Sequence, residues 1–428
     1  MQIHLTEKHG FSINFSMQPT SFIICHDCDL IQKKPDTSAV GTLRCVQCDA
    51  VLQKTGKGNT DTTLALVIAG IILFILINSF PFLTFRMSGQ LQETTLITGI
   101  EMFFIQGWWP IGLLVFLATI LSPAFHLLGL LYILLLLKFG LKMPGVPRIM
   151  RIITAFQPWS MVEIFMLGIL VTVVKLSNDG EITAGVSLFA LMAFTFVQAA
   201  IFYTFNPHQI WEKCEVDEEL KLDQENCDMN LIQCHICGLL CPDENKTDKF
   251  YCKRCGAKLH KRKQDSISRT WALILTAVIF YIPANVFPIT NIISFGDYTT
   301  DTILSGVIYF IKTGMWPLAL IIFTASIFVP LLKLIILSFL LISVQLKTTW
   351  RQKDRTRIYR ITEAIGRWSM VDIFAITVLI ALVNMGAIAT VRVEPAALYF
   401  AAVVVITIFA AMAFDPRLIW DTEKNSHD

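Results

Sequence analysis

The sequence predicts an all-α membrane protein made of two tandem, parallel modules. Of its 428 residues, 54% are hydrophobic and only 16% are charged. The apolar residues lie in long blocks, which excludes an ordinary soluble globular protein. Eight of the eleven cysteines form C-x-x-C pairs in the two polar segments that precede these blocks. Each module is therefore predicted to contain a four-cysteine ribbon followed by about four transmembrane helices.

The first module contains four apolar spans. Residues 1–61 are polar, and the run 62–85 is long enough to cross a hydrocarbon layer of roughly 30 Å as a helix. After a short polar loop, residues 102–141 predict an interfacial segment and then one long, kinked span. A third span is predicted at about 159–176 and a fourth at about 185–205.

The second half of the chain repeats the first in register. The motif Asn-Ser-Phe-Pro at 78–81 recurs 207 positions later as Asn-Val-Phe-Pro at 285–288. After a two-residue insertion, Trp-Ser-Met-Val-Glu at 159–163 recurs 209 positions later as Trp-Ser-Met-Val-Asp at 368–372. The predicted domains are a ribbon at 1–61, a bundle at 62–206, a second ribbon at 207–268, a second bundle at 269–420 and a tail at 421–428.

The distribution of basic residues predicts the orientation. Lysine and arginine concentrate in the connections 138–151 and 347–360, which the positive-inside rule assigns to the cytoplasm. With four spans in each module, both ribbons and both termini are then expected on the cytoplasmic side, and no cleavable signal peptide is recognisable in residues 1–24. The formal net charge of +2 gives no field that would favour nucleic acid.

The cysteine spacing predicts two metal sites. The C-x-x-C pairs are separated by sixteen residues in the first ribbon and by fourteen in the second. Two such knuckles supply four thiolates to one tetrahedral ion and leave no position for a substrate water, which indicates one structural zinc ion in each ribbon. A redox sensor and a rubredoxin-like iron centre remain alternatives, and Cys241, His26 and His235 could compete as ligands. The predicted ligands are Cys25, Cys28, Cys45, Cys48, Cys234, Cys237, Cys252 and Cys255.

Polar side chains inside the second long spans predict a second kind of site. Lys333 lies about halfway along the span in module two, where a charge costs at least about 2.5 kcal/mol on insertion scales. His126 is its equivalent in module one. Ser326 and its equivalent Thr119 lie seven residues earlier on the same helical face. A buried lysine can change its protonation state, so this face predicts proton-coupled transport, with a structural ion pair as the alternative.

Two further pairs of residues are candidates for the same site. Thr407 and its equivalent Gln198 lie within the fourth spans and could meet Lys333 and its equivalent across the bundle, although a threonine can also bond its own helix backbone. Asp372 and its equivalent Glu163 lie near the predicted starts of the third spans. Asp372 is the expected partner of Lys333, but each acid also follows a serine by three residues, which is the pattern of a helix capping box.

The order of these motifs resembles the paraquat-inducible protein A family, including its lipophilic envelope-spanning tunnel A branch. The resemblance covers nearly the whole chain and includes the Asp-Pro-x-x-Ile-Trp sequence at 415–420. Module two matches most closely. Module one departs from the pattern, because Gln157 and Pro158 precede Trp159 and because His126 stands where module two has Lys333.

The resemblance implies an inner-membrane component of a Gram-negative lipid-transport system. The implied cargo is phospholipid, and the implied partner is a mammalian-cell-entry (MCE) domain protein whose tunnel bridges the periplasm. A membrane redox sensor and a passive anchor for the MCE partner are the alternatives. An enzyme is not expected, since no convergent nucleophile and base can be named. No nucleotide-binding loop is present in the sequence, so ATP is not expected to drive transport directly. The candidate transport and proton-relay residues are Lys333, Asp372, Ser326, Thr407, His126 and Glu163.

Overall fold

The computed structural model is mostly helical. It describes residues 22–33, 41–55, 60–87, 89–141, 145–177, 180–207, 210–211, 231–242, 250–294, 297–384 and 389–421. Within these ranges, eight helical segments are long and apolar enough to cross a membrane, four in each half of the chain. The predicted number of spans per module is therefore confirmed.

Module one contains four long segments and one short helix. Its helices are α1 (Thr60–Ser79), α2 (Leu96–Ile105), α3 (Trp109–Phe116), α4 (Ser122–Phe139), α5 (Val146–Phe156), α6 (Val162–Leu176) and α7 (Val186–Thr204). Segments α3 and α4 form one continuous span, and a 3-10 turn at Gln157–Trp159 links α5 to α6.

Module two repeats this arrangement. Its helices are α8 (Ser266–Val286), α9 (Ile303–Lys312), α10 (Trp316–Phe323), α11 (Val329–Gln345), α12 (Gln352–Gly366), α13 (Val371–Leu382) and α14 (Pro395–Ala413). A 3-10 turn at Arg367–Met370 links α12 to α13.

The predicted kink in each second span is a π-helical turn. The turns occupy Leu117–Leu121 and Thr324–Phe328, directly before the Ser-Pro and Val-Pro pairs that open α4 and α11. The amide of Ser122 donates to the carbonyl of Leu117, five positions back. Proline has no amide hydrogen for the usual bond four positions back, so the wider turn absorbs the interruption without breaking the helix.

The third spans begin earlier than the sequence predicted. In module one the helical segment extends from Val146 to Leu176 rather than from 159, and in module two from Gln352 to Leu382. The added part α5 buries Val146, Met150 and Ile153 on one face and leaves Arg148 exposed on another. This amphipathic pattern lowers the mean hydropathy and hides the helix from a search for apolar blocks.

The ribbons are pairs of short antiparallel hairpins, each with a C-x-x-C pair in its turn. Ribbon one (22–55) and ribbon two (231–259) each have two two-stranded sheets. The strands are β1 (Phe22–Ile24), β2 (Ile31–Lys33), β3 (Gly41–Arg44), β4 (Val51–Thr55), β8 (Leu231–Gln233), β9 (Leu240–Pro242), β10 (Phe250–Tyr251) and β11 (Lys258–Leu259).

A three-stranded antiparallel sheet closes the end of each bundle opposite the ribbons, and the sequence did not predict it. The strands are β5 (Leu83–Met87), β6 (Gln90–Thr94) and β7 (Glu181–Ala184) in module one, and β12 (Thr290–Ser294), β13 (Asp297–Asp301) and β14 (Ala389–Val393) in module two. The first strand of each hairpin lies in the centre and pairs with a strand from a distant loop. Strands of four or five residues are too short for their alternation to be recognised in the sequence.

Each ribbon packs against the helices of the other module. The cysteines of ribbon one share a buried cluster with Leu337, Tyr359 and Trp420 of module two. Ribbon two belongs instead to the larger buried cluster, which contains the module-one core together with α13 and part of α14. The guanidinium of Arg151 in α5 also donates to the carbonyl of Gly256 in ribbon two at 3.1 Å. The modules are thus tandem in sequence, but their ribbons are exchanged in space.

The two modules meet along their third spans. Gly168 of α6 lies so close to α13 that a Cβ atom there would sit 2.8 Å from Cβ of Phe374. The hydroxyl of Thr172, one turn later, donates to the carbonyl of Ala375 at 3.0 Å. Small residues that let backbones approach are the usual basis of helix association in membranes.

A second contact between the modules lies at the sheet end. The side-chain amide of Gln106 donates to the carbonyl of Val391 at 3.1 Å and accepts from the amide of Val393 at 2.9 Å. The indole of Trp108 donates to the carbonyl of Val393, also at 3.1 Å. Module one therefore completes hydrogen bonds at the edge of the module-two sheet.

The close approach at Gly168 generates a test of the module interface. We expect Gly168→Ala to lower the stability of the folded protein, because overpacking a tight contact costs roughly 1–3 kcal/mol. Thermal unfolding in detergent measures this as a lower melting temperature. Gly306→Ala is the matched control, since nothing lies within 4 Å of its added Cβ. Equal melting temperatures for the two variants would contradict the proposed interface.

Candidate functional site

The eight predicted cysteines form two buried clusters. In each cluster the four sulfur atoms all lie within 4.8 Å of one another. In ribbon one, Cys25 and Cys48 are 3.4 Å apart and Cys28 and Cys45 are 3.5 Å apart, measured between sulfurs. A tetrahedral zinc ion with Zn–S bonds of about 2.3 Å places its sulfurs roughly 3.8 Å apart. The donor set and its geometry therefore fit one zinc ion in each ribbon.

The backbone after each knuckle is held in the left-handed region. The residues that follow the second cysteine of the four knuckles have φ between 61° and 71°, and they are Asp29, Asp49, Gly238 and Gly256. Each of these residues donates its amide to the carbonyl of the first cysteine, as Asp29 does to Cys25 at 2.9 Å. Glycine and, less often, aspartate accept this conformation at low cost. The turn therefore aims both thiols of a knuckle at one point.

The three residues considered as competing ligands are not part of either cluster. Cys241 is buried on β9 beside Cys252, but its sulfur lies outside the set of four mutually close sulfurs. His26 is exposed, and its Nε2 lies 3.5 Å from Asp27. Burial lowers the pKa of the His235 imidazole, and the neighbouring cations, including Lys263, lower it further. Four thiols thus satisfy each site without an imidazole.

Ion pairs fix ribbon one to module two. Asp27 lies between the first two metal-site cysteines, and its Oδ2 is 3.0 Å from Nε of Arg360 in α12. Arg360 also donates to the carbonyl of Cys48. The guanidinium of Arg262 binds Asp29 and Asp421, each at 2.6 Å. Although burial opposes its charge, hydrogen bonds to these two carboxylates raise the pKa of Arg262.

Lys333 joins three helices of module two. Its side chain is 2% exposed, and its Nζ donates to Oγ1 of Thr407 in α14 at 2.8 Å and to the carbonyl of Gly366 at the end of α12 at 3.2 Å. Thr407 also donates to the carbonyl of Val404 in its own helix at 2.9 Å. Thr407 therefore makes both of the predicted interactions: it bonds the backbone of its own helix and accepts a hydrogen bond from Lys333. No carboxylate pairs with Lys333 among the described residues.

Asp372 does not form the ion pair with Lys333 that the sequence suggested. The 3-10 turn at Arg367–Met370 redirects the chain, so that Gly366 faces Lys333 while Asp372 lies beyond the bend. Asp372 is 8% exposed, and its Oδ2 has no hydrogen-bond partner in the described part of the chain. It lines a pocket of about 90 Å³ with Thr172 and Lys175 of α6.

The capping-box interpretation of the two acids is wrong. No side chain caps α6 or α13, and the hydroxyl of Ser369 has no partner among the described residues. The chain contains capping boxes elsewhere, where Thr95 pairs with Thr98 and Thr302 with Ser305.

Ser326 and Thr119 bond their own helices instead of reaching across. The hydroxyl of Ser326 donates to the carbonyl of Ile322 at 2.7 Å, and that of Thr119 to Val115 at 2.8 Å. Both hydroxyls lie within the π turns and are buried. Their contacts support the irregular backbone next to Lys333 and its equivalent.

The module-one equivalents of the lysine site are unsatisfied. His126 and Gln198 are each 3% exposed. Neither ring nitrogen of His126 and neither amide atom of Gln198 has a hydrogen-bond partner among the described residues. Glu163 is exposed. The sequence correctly aligned these positions with module two, but module one lacks the bonds that module two makes.

Sequence reasoning missed a polar cluster that holds α12 in place. Arg355 is 2% exposed and donates to Oγ of Ser343 at 3.0 Å and to the carbonyl of Thr348 at 2.6 Å. The hydroxyl of Tyr359, one turn later, donates to the carbonyl of Ala411 in α14 at 3.0 Å. In the sequence Arg355 is one of many basic residues in a connection, so only the helical spacing of 355 and 359 hinted at a shared face.

The cluster geometry generates a metal-content prediction. We expect the purified protein to carry two zinc ions and the Cys28→Ser, Cys45→Ser double variant to carry one. Inductively coupled plasma mass spectrometry counts the ions. Cys241→Ser is the matched control and should keep both. Iron instead of zinc, or loss of metal from the control, would contradict the assignment.

The docking of ribbon one generates a second prediction. Asp29→Asn should loosen the ribbon from module two, because the amide cannot replace the charge that Arg262 binds at 2.6 Å. Hydrogen-exchange mass spectrometry should then detect faster exchange in α12 and in 259–265. Asp49→Asn is a matched control, since it changes the same backbone position of the other knuckle and affects only an exposed pair with Arg44. The docking would be refuted if both variants exchanged like the parent protein while retaining their zinc.

Comparison with known proteins now identifies the family. The family model for paraquat-inducible protein A matches residues 60–215 and 267–424. The chain is 32% identical over 408 residues to the "Intermembrane transport protein PqiA" of Escherichia coli (strain K12), covering 94% of this chain and 96% of the relative. It is 28% identical over 410 residues to the "Lipophilic envelope-spanning tunnel protein A" of the same organism, covering 94% and 92%. A "Probable intermembrane transport protein" of Haemophilus influenzae is 25% identical over 415 residues, covering 95% and 98%.

No solved structure matches the chain. The two stretches matched by the family model, 60–215 and 267–424, correspond to the two helical bundles and together cover more than half of the residues. The protein therefore belongs to the paraquat-inducible protein A family.

Proposed function

We propose that this protein is an inner-membrane component of an intermembrane phospholipid transport system. It would load lipid into, or unload it from, an MCE-domain protein whose tunnel spans the periplasm. The names of two relatives, an intermembrane transport protein and an envelope-spanning tunnel protein, support this class of function. The observation that carries the mechanism is the buried Lys333, bonded to two other helices.

The orientation follows from charge. The ribbon end of the bundles holds Lys138, Arg148 and Arg151 in module one and their counterparts around α12 in module two. We infer that this end faces the cytoplasm. The two three-stranded sheets then face the periplasm, and they are the surface on which an MCE partner would dock. Edge strands β6 and β13 offer unpaired backbone groups for such a contact.

The lysine site is suited to a conformational switch within module two. The ammonium group ties α11 to α12 and α14 through two acceptors, and both bonds are strongest when the group is charged. Gly366 permits this approach, since a Cβ atom there would lie 3.3 Å from Lys333 Nζ. Loss of the proton would weaken both bonds together and let the three helices separate. The adjacent π turn is the kind of irregularity that accommodates such movement.

Asp372 supplies a second ionisable group at the module interface. Its pocket is lined by α6 of module one and by α9 and α13 of module two, and Lys175 and Asp301 face it. A carboxylate in this position responds to the distance between the modules. We propose that Lys333 and Asp372 change protonation at different steps, so that proton movement drives the opening of a path for lipid between the bundles.

A redox-sensing function is the second candidate, and one observation favours it. Arg360, which holds Asp27 of ribbon one, lies six residues before Gly366 in α12. Oxidation of the ribbon thiolates would release the metal and disturb this contact. The sensor model predicts that oxidant changes activity through ribbon one, whereas the transport model predicts that Lys333 decides activity with the ribbons intact.

The proposed mechanism generates a complementation test. Lys333→Met and Asp372→Asn should each leave cells as sensitive to envelope stress as cells lacking the protein, because each removes an ionisable group without a large change in volume. The measurement is survival of a Gram-negative strain that lacks its own relatives, with membrane levels of each variant quantified. Lys312→Met, an exposed lysine at the end of α9, is the matched control and should restore survival.

If Lys333→Met and Asp372→Asn reach normal membrane levels and protect cells fully, the transport mechanism is wrong and a passive anchor is favoured. If only the variants with replaced ribbon cysteines fail to protect cells, while both intramembrane variants protect them, the redox-sensing function is favoured.

A further inference from the structure

Module one contains an open polar pocket at the place where module two is filled by its lysine. In module two, Lys333 donates to Thr407 and Gly366. Their equivalents in module one are Gln198 of α7 and Gln157. Both glutamines line a pocket of about 360 Å³. His126, which replaces the lysine, is shorter, and the centroid of its ring lies 5.0 Å from that of Phe202.

One buried polar side chain that lines this pocket has no hydrogen-bond partner in the described part of the chain. Gln198 is 3% exposed, yet neither its Oε1 nor its Nε2 is hydrogen-bonded within the described chain. Leaving buried polar groups unpaired destabilises the fold, and such groups in folded proteins normally have a partner. An amide that lines a cavity and has no protein partner indicates a ligand that supplies one.

The charges at the pocket come from both modules and cancel. Glu163 of α6 contributes a carboxylate, and Arg367 of the module-two 3-10 turn contributes a guanidinium. Both side chains belong to exposed residues, and neither forms an ion pair with another described residue. The other lining residues are neutral: Gln157, Ser160, Thr195 and Gln198 are polar, and Val162 and Phe202 are apolar.

We propose that this pocket binds a phosphate ester that carries an amine, as in the head group of a phosphoethanolamine lipid. Arg367 would bind the phosphate, since guanidinium matches its geometry with two parallel hydrogen bonds. Glu163 would bind the ammonium group, and the Gln198 amide would satisfy the ester oxygens. A site with one charge of each sign favours a zwitterion over an anionic head group, which would leave the carboxylate unpaired.

The surface beside the pocket suits acyl chains. The neighbouring face of α7 exposes Phe189, Phe196 and Tyr203, with 60%, 77% and 79% of each residue accessible. A lipid whose head group entered between Gln198 and Phe202 could lay its chains along this apolar face. The inference deepens the proposed lipid transport and rests on it, because it assigns module one a head-group site and leaves the ionisable switch to module two.

Lipid binding to the full-length protein tests the proposal. Native mass spectrometry in detergent compares phosphatidylethanolamine with phosphatidylglycerol of identical acyl chains. We expect the parent protein to prefer phosphatidylethanolamine by about tenfold, the ratio that one hydrogen bond to a charged group supports. Glu163→Gln should abolish this preference, and Arg367→Gln should weaken the binding of both lipids. Gln198→Leu should weaken the binding of phosphatidylethanolamine by a similar factor.

Two matched controls accompany these variants. Glu181→Gln on β7 and Arg357→Gln on α12 remove exposed charges that do not line the pocket, and both should bind like the parent. Monodispersity and a content of two zinc ions show that each variant is folded. Equal binding of the two lipids by the parent, or parent-like binding by Glu163→Gln and Gln198→Leu, would overturn the proposal.

Two additional measurements distinguish a lipid from a soluble phosphate ester, and the head-group site from the transport mechanism. Free O-phosphoethanolamine that displaces the lipid at equal concentration would overturn the lipid assignment in favour of a soluble ester. The complementation assay distinguishes failure of this site from failure of transport. If Gln198→Leu binds lipid like the parent and Lys333→Met is still inactive in cells, the head-group site is refuted and the transport proposal stands. If Gln198→Leu loses binding and Lys333→Met is fully active in cells, the head-group site is supported and the proposed switch at Lys333 is refuted.

Discussion

The packing of α13 between the two modules is the constraint on which the rest of the structure depends. Eleven of its twelve residues are buried, whereas α1 buries only five of twenty and leaves the remaining surface for lipid. Gly168 brings α6 into backbone contact with α13, and Gly99 of α2 similarly lies against Thr377. A helix enclosed in this way cannot move without displacing both modules, so any change at Asp372, near its beginning, is transmitted to both.

The exchange of ribbons has the same mechanical consequence at the other end of the molecule. Ribbon one is held by Arg262 and Arg360 of module two, and ribbon two is contacted by Arg151 of module one. A small domain without a large core depends on its metal for its fold. The four-cysteine clusters lie in the two segments whose contacts join ribbon one to module two and ribbon two to module one.

The sequence predicted the modules, the number of spans, the cysteine clusters and the equivalence of positions, because each leaves a periodic or spaced pattern. It could not predict the three-stranded sheets, whose partners are nearly a hundred residues apart, as in Phe85 and Ile182. It also suggested the wrong partner for Lys333, because a bend of four residues at Arg367–Met370 decides which side of the third span faces the lysine. Bends and exchanged domains depend on tertiary contacts that local patterns do not encode.

The two bundles differ at equivalent positions, because one is filled by Lys333 and the other contains a cavity. In module two the long side chain of Lys333 reaches Thr407 and Gly366 and closes the space among three helices. In module one, the buried polar atoms of His126 and Gln198 have no hydrogen-bond partner among the described residues, and Gln198 lines a cavity of about 360 Å³. Buried polar groups that no protein atom satisfies are costly, which supports the proposal that the two modules divide one task into ligand binding and switching.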